Sequence, residues 1–241
     1  MSDPNELWRG GSTERQACIP APLRDLHRTI LRQFMQTGTP PTAAWITWTA
    51  ARLGLDAMAL ADLEAADLVH TADGMVTVAY PFSGTPTRQR VALDGFPAVY
   101  AMCAIDALGI PAMARSDGQI TATDPHDDGP VQVSVKGRTW TWTPPEAVVV
   151  YGRTARCGTD CGSWEVMCPH TTFHASRVSA QAYLAARPGI DGEILGQHAA
   201  IDLGRRIFGP LLRARHSDGQ ATDVIGRPAA VRSPDNSTTF T

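Results

Sequence analysis

Leu68-Val-His70-Thr-Ala-Asp73-Gly74-Met75-Val-Thr-Val-Ala-Tyr80 is the stretch on which the fold turns. Two β-prone runs, Leu68-Val-His70 and Met75-Val-Thr-Val-Ala-Tyr80, flank an Asp-Gly pair, the dipeptide that most readily takes the positive φ angles of a two-residue hairpin turn. Upstream, Leu23, Leu26, Ile30, Leu31, Phe34 and Met35 recur at helical spacing on one face. Gly38-Thr-Pro-Pro-Thr42 breaks that helix and restarts the chain. The spacing predicts a second helix with Ala44, Trp45, Trp48 and Leu53 inward, stopped at Gly54. A third, capped by Asp56, should turn Met58, Leu60, Leu63 and Ala66 inward. Three helices followed by a hairpin make a winged-helix-like module over residues 23–80.

Downstream of Pro81 the texture changes. Arg90-Val-Ala-Leu93 and Val131-Gln-Val-Ser-Val135 alternate as half-buried strands do. Trp140-Thr-Trp142 and Ala147-Val-Val-Val-Tyr151 read as strands as well. The apolar residues 98–108 read as a helix ending near Gly109 and Pro111. Further helices are predicted over 179–186, stopped by Pro188-Gly189, and over 198–212. The fold class is α+β: an N-terminal three-helix winged-helix-like module packed on a mostly antiparallel sheet domain (81–213) with flanking helices. Residues 1–22 and the tail 214–241 read as flexible ends.

With 241 residues, 43% hydrophobic, the chain can bury a sizeable core. A net charge of −3, with Lys136 the only lysine, gives no basic field to hold a polyanion. The helix expected over 56–67 carries Asp56, Asp62, Glu64 and Asp67 and no cation. Such a helix would repel DNA phosphates, which argues against nucleic acid as a partner. The N-terminus lacks the basic-then-apolar plan of a secretory signal, and no apolar run approaches the ~20 residues that span a bilayer. These features predict a cytoplasmic protein with no membrane partner. The five cysteines, Cys18, Cys103, Cys157, Cys161 and Cys168, are then thiols or metal ligands rather than a disulfide framework.

Two segments concentrate soft chemistry. In Tyr100-Ala-Met-Cys103-Ala-Ile-Asp106-Ala-Leu108, Cys103 and Asp106 stand at i and i+3 and share a face if the segment is helical. A carboxylate in so apolar a helix is costly unless it is paired or functional. The second segment runs Cys157-Gly-Thr-Asp-Cys161-Gly-Ser-Trp-Glu-Val-Met-Cys168-Pro-His170-Thr-Thr-Phe-His174. One reading joins Cys157, Cys161, Cys168 and His170 into a zinc or copper site of a thiol metal-binding protein. The spacing after Cys161 matches no standard ligand plan. His174 and His198 read as ordinary half-buried or surface histidines.

Both segments, in this order and separation, resemble those that carry the active-site thiols of the organomercurial (alkylmercury) lyases. The likeness extends from about residue 25 to 212. It implies that Cys103 and Cys168 are the two mercury-binding thiols and that Asp106 is the accompanying aspartate. The chain departs from the family at Met102, where members often have Trp, which bears on the shape of the pocket. Asp124 falls near a position where some members have a further cysteine. Cys157 and Cys161 have no counterpart and are candidate accessory thiols. The implied reaction is protonolysis of R–Hg⁺ to R–H and Hg²⁺, with mercury held by two thiolates and Asp106 shuttling the proton. Thiolates are the protein ligands that soft mercury prefers. The resemblance implies no cofactor beyond Hg²⁺ as bound product. Low-molecular-weight thiols or mercuric reductase would take the ion away.

Overall fold

The computed structural model describes residues 10–154 and 162–213. Helices α1 (Ser12–Cys18), α2 (Ala21–Thr37), α3 (Ala43–Arg52) and α4 (Ala59–Ala65) come first. The expected hairpin follows as β1 (Val69–Ala72) and β2 (Met75–Ala79), with Asp73 and Gly74 both at positive φ. It is not a free-standing wing. Through β3 (Phe82–Ser83) it forms one edge of an eight-stranded sheet with β4 (Gln89–Leu93), β5 (Val99–Ala101), β6 (Gly118–Thr123), β7 (Pro130–Lys136) and β8 (Thr139–Thr143), in the order β1-β2-β3-β5-β4-β6-β7-β8. A second sheet places β9 (Val148–Thr154) between β10 (Thr172–His174) and β11 (Ile190–Leu195). Every strand pair recorded is antiparallel. The other helices are α5 (Ala104–Ala114), the short α6 (Ser163–Val166), α7 (Arg177–Ala185) and α8 (Gln197–Phe208).

One continuous apolar core runs from Leu23 to Leu211 and includes both thiols, Cys103 and Cys168. Its axis is α5, buried along nearly its whole length from Ala104 to Met113. α8 lies against it where Gly109 faces Gly204. A Cβ on Gly204 would come within 2.9 Å of the Gly109 nitrogen, and one on Gly109 within 2.4 Å of the Phe208 ring. Side-chain-free positions here let the two backbones touch, which fixes the depth of α5 in the core.

Several expectations need correction. Residues 1–22 are not a flexible lead-in throughout, because α1 is fastened down. Thr13 Oγ1 donates to the Ile207 carbonyl at 2.6 Å, and Gln16 meets the buried His27 ring at 2.9 Å. The tail 214–241 lies outside the described residues. In α3 the buried face is Ile46, Thr49 and Ala50, while Trp48 is 56% exposed, stacked under Arg52. The phase slipped because the aromatic residues were assumed to point inward. Asp56 bonds the Met58 N–H in a turn ahead of α4, so that helix starts late and Met58 is exposed. The predicted helix over 98–108 is instead a strand, β5, followed by α5, which runs on through Pro111. Burial of Ile110, Pro111 and Met113 outweighs the bond that proline removes. The strands β6, β10 and β11 carried too little apolar alternation to be read.

Candidate active site: two thiols around a buried carboxylate

The turn from β5 into α5 builds the first half of the site. Cys103 has extended backbone, φ −150° and ψ −178°, and stands as the N-cap of α5. Its carbonyl accepts the Ala107 N–H at 2.9 Å, while the Ala104 N–H is taken by the Thr171 carbonyl at 3.0 Å. Asp106 is then the third residue of the helix. N-cap and third-residue side chains face each other at a helix start, so Cys103 and Asp106 meet for a different reason from the shared helical face expected of them. Cys103 Sγ donates to Asp106 Oδ2 at 2.5 Å.

The second half comes from the other sheet. Cys168 opens a 3₁₀ turn, Cys168–His170, that leads directly into β10. That turn brings Cys168 Sγ to 4.0 Å from Asp106 Oδ2. The two sulfurs and the carboxylate oxygen all lie within 4.8 Å of one another, close enough for one ion to touch all three. Among the described residues this is the one such cluster of potential ligands. The thiol plan that joins Cys168 with Cys157, Cys161 and His170 falls partly on residues 155–161, outside the described ones; Cys168 itself faces Cys103 and Asp106.

The three groups are 5%, 3% and 7% exposed for Cys103, Asp106 and Cys168. Burial raises the Asp106 carboxyl to about 7, against the opposing pull of the Cys103 bond and of its own backbone N–H. Burial also holds the Cys103 thiol well above its ordinary value, helped by its neighbours Cys168 and Asp106. At Cys168 the bond from Cys103 favours the thiolate, but burial and the nearby Asp106 charge win and the thiol is raised. The resting site therefore keeps its protons on sulfur, beside an acid balanced near neutrality. Asp106 Oδ1 is buried with no hydrogen-bond partner, an open acceptor at the centre of the cluster.

A cavity of about 100 Å³ adjoins these groups, with Tyr80, Ile105, Tyr151, Met167, Ile207 and Phe208 among its walls. Met102 is half-buried and is not among the cavity's lining residues. Sequence reasoning missed Tyr80, Tyr151 and the α8 residues because nothing local distinguishes them from core. It also missed the start of α1, which lines the cavity through Ser12 and Arg15, with Gly10 and Gly11 just before it.

His174 is not half-buried or on the surface, as expected, but wholly buried. Its Nδ1–H donates to Asp124 Oδ1 at 2.9 Å, and its Nε2 meets Thr172 Oγ1 at 2.9 Å. His198 is exposed.

Comparison with known proteins adds three findings. The family model "MerB: Alkylmercury lyase" matches residues 82–209, just over half of the chain. No curated protein matches it. Among solved structures, the mercury-bound form of MerB2 is similar with a TM-score of 0.69 and 20% identity, covering 87% of this chain and 100% of that one. At that identity the likeness concerns the fold. No helix of the described residues is long and apolar enough to cross a membrane.

Proposed function

The chain belongs to the alkylmercury lyase family, and from that premise we propose that it cleaves the carbon–mercury bond by protonolysis, with Cys103, Cys168 and Asp106 as the reacting groups. The observation that carries this reading is the convergence of two thiols on one carboxylate across 65 residues of sequence, all three buried. That MerB2 has been captured with mercury bound supports the same use of the shared fold.

The steps follow from the site's proton inventory. The substrate arrives as R–Hg–SR′, its mercury carried by a small thiol. Cys103 passes its proton along the 2.5 Å bond to Asp106 and takes mercury as a thiolate, displacing R′S⁻. Cys168 adds as the second thiolate, and its proton leaves with R′SH. Two sulfur donors push electron density toward the mercury-bound carbon. Asp106 then returns the held proton to that carbon as the Hg–C bond breaks, and R–H departs. The sum is R–Hg–SR′ and two protein thiols giving R–H, R′SH and mercury bridged between two sulfurs. An acid near pH 7 both accepts and donates at little cost, which is what this double role asks of it.

No group outside the chain is required, since the thiols supply the chemistry. The mercury left behind is handed to low-molecular-weight thiols or mercuric reductase. The reading is tested by following methane or benzene release from methylmercury or phenylmercury. Cys103→Ser and Cys168→Ser should each lose nearly all turnover while their circular dichroism stays that of the parent. Near-parental release from either variant overturns the proposal. A thiol protein that holds zinc or copper as a resident ion is separated from this reading by metal analysis of protein purified without mercury.

A further inference from the structure

Cys103 and Cys168 are all but buried at the base of the inner cavity, so a substrate must pass the residues that line it. A second, larger pocket of about 800 Å³, lined by Glu14, Cys18, Ile19, Glu64 and His70, adjoins it. The two spaces share Gly10, Arg15 and Ser163 as lining residues, so these form the partition between them. The partition is tied together at Asp67. Arg15 forms an ion pair with the Asp67 carboxylate and donates to the Asp67 carbonyl at 2.8 Å. The Ser163 N–H and Oγ–H reach Asp67 Oδ2 at 3.1 and 2.9 Å, and Arg15 Nη2 donates to Ser163 Oγ at 3.2 Å. Tyr80, a wall of the inner cavity, donates to Asp67 Oδ1 at 3.2 Å, and His70 meets the same oxygen at 2.6 Å. Asp67 does this from a left-handed backbone, φ 49°, a conformation uncommon outside glycine and best tolerated by Asp and Asn.

We infer that, on the lyase reading, Arg15, latched by Asp67, is the gate through which organomercurials pass from the outer pocket to the thiols. Three features make this a gate rather than a wall. Of the three shared residues, Arg15 is the one with a long flexible side chain, carried on a seven-residue helix and closed on a charged partner. Its Nε is buried without a hydrogen-bond partner, so the closed position is incompletely satisfied and the swing outward regains water. The rest of α1 is held independently, by Thr13 on Ile207 and Gln16 on His27, and the helix need not leave for the side chain to move.

Alkylation by N-ethylmaleimide, resolved cysteine by cysteine by peptide mass, reads access directly and does not depend on the lyase reading. In the parent protein Cys18, which is exposed, should react fast and Cys103 and Cys168 slowly. Arg15→Ala is expected to speed alkylation of Cys103 and Cys168 about ten- to a hundredfold relative to Cys18, as loss of charged hydrogen bonds would give. Arg15→Lys, which keeps the charge but not the forked geometry, should fall between. Removing a nearby cation disfavours thiolates, so its own electrostatic effect is to slow the reaction; acceleration therefore reports access. Unchanged rates at Cys103 and Cys168 in Arg15→Ala overturn the gate. So does acceleration accompanied by equal loss of amide protection throughout α5, which would mean general unfolding.

Discussion

Two aspartates are buried among the described residues, and they have opposite fates. Asp106 is 3% exposed and Asp124 wholly buried, so solvent loss alone would raise both. Asp124 nonetheless lies below the ordinary carboxylate range. Burial raises it, but the Ser179 hydroxyl at 2.6 Å and the N–H groups of His126 and Ala175 at 2.9 and 2.8 Å more than compensate, with His174 alongside. Asp106 has only the weakly donating thiols of Cys103 and, at 4.0 Å, Cys168, together with its own N–H; one oxygen has no partner, and it rises to about 7. The difference is a matter of donors. A carboxylate surrounded by donors is a fixed anion that holds structure; one deprived of them can exchange a proton at neutral pH.

The largest expected effect tests this contrast at the active carboxyl. Asp106→Asn keeps the shape and an acceptor for Cys103 but cannot carry a proton to carbon. Turnover of methylmercury should fall by about 10²–10⁴, the range a positioned acid or base contributes. Activity within tenfold of the parent would remove Asp106 from the proton path.

The same variant should show an effect of the opposite sign on stability. A folded-state value raised to about 7 means the native state prefers the neutral acid. That preference is fully present below the unfolded value near 4 and is lost as pH rises through 7. The parent should therefore lose roughly 2–4 kcal/mol relative to Asp106→Asn between pH 4 and pH 8. Urea unfolding midpoints of both proteins across that window measure it. A constant difference would mean that Asp106 is not raised.

How legible this was in the sequence depends on the range of the contacts involved. Turn chemistry at Asp73-Gly74 and the helical spacing from Leu23 to Met35 are local, and both emerged as expected. Cys103 and Asp106 could be paired from spacing alone, although the geometry is that of a helix start. Nothing in the sequence alone brought Cys168 to them; its place follows from the pairing of β10 with β9 and from the bond between the start of α5 and Thr171, and only the resemblance joined the two segments. Arg15 and Asp67 were invisible for the same reason, being 52 residues apart in segments that read as a flexible end and a charged surface helix. His174 was misjudged because a polar side chain is read as exposed until its partner is known, and Asp124 lies 50 residues away in a loop.

The smallest effect on chemistry should come from the second aspartate, where the comparison is sharpest. Asp124→Asn preserves volume but removes the charge that holds Ser179, Ala175 and the His174 ring. Hydrogen bonds to charged groups contribute about 1.5–3 kcal/mol each, and the amide retains part of them, so a net destabilisation of about 2 kcal/mol is expected. Because Asp124 is depressed, its contribution is present above pH 4 and disappears as pH falls through its folded value. The gap between parent and Asp124→Asn should thus close in acid, where the gap for Asp106→Asn also shrinks but from the other sign. Methylmercury turnover per folded molecule should change by less than about threefold, since no donor to Asp124 touches a thiol. A hundredfold loss with intact folding would show that the strand leading from Cys168 through His174 transmits more than position, and that the two carboxylates are not separate in role.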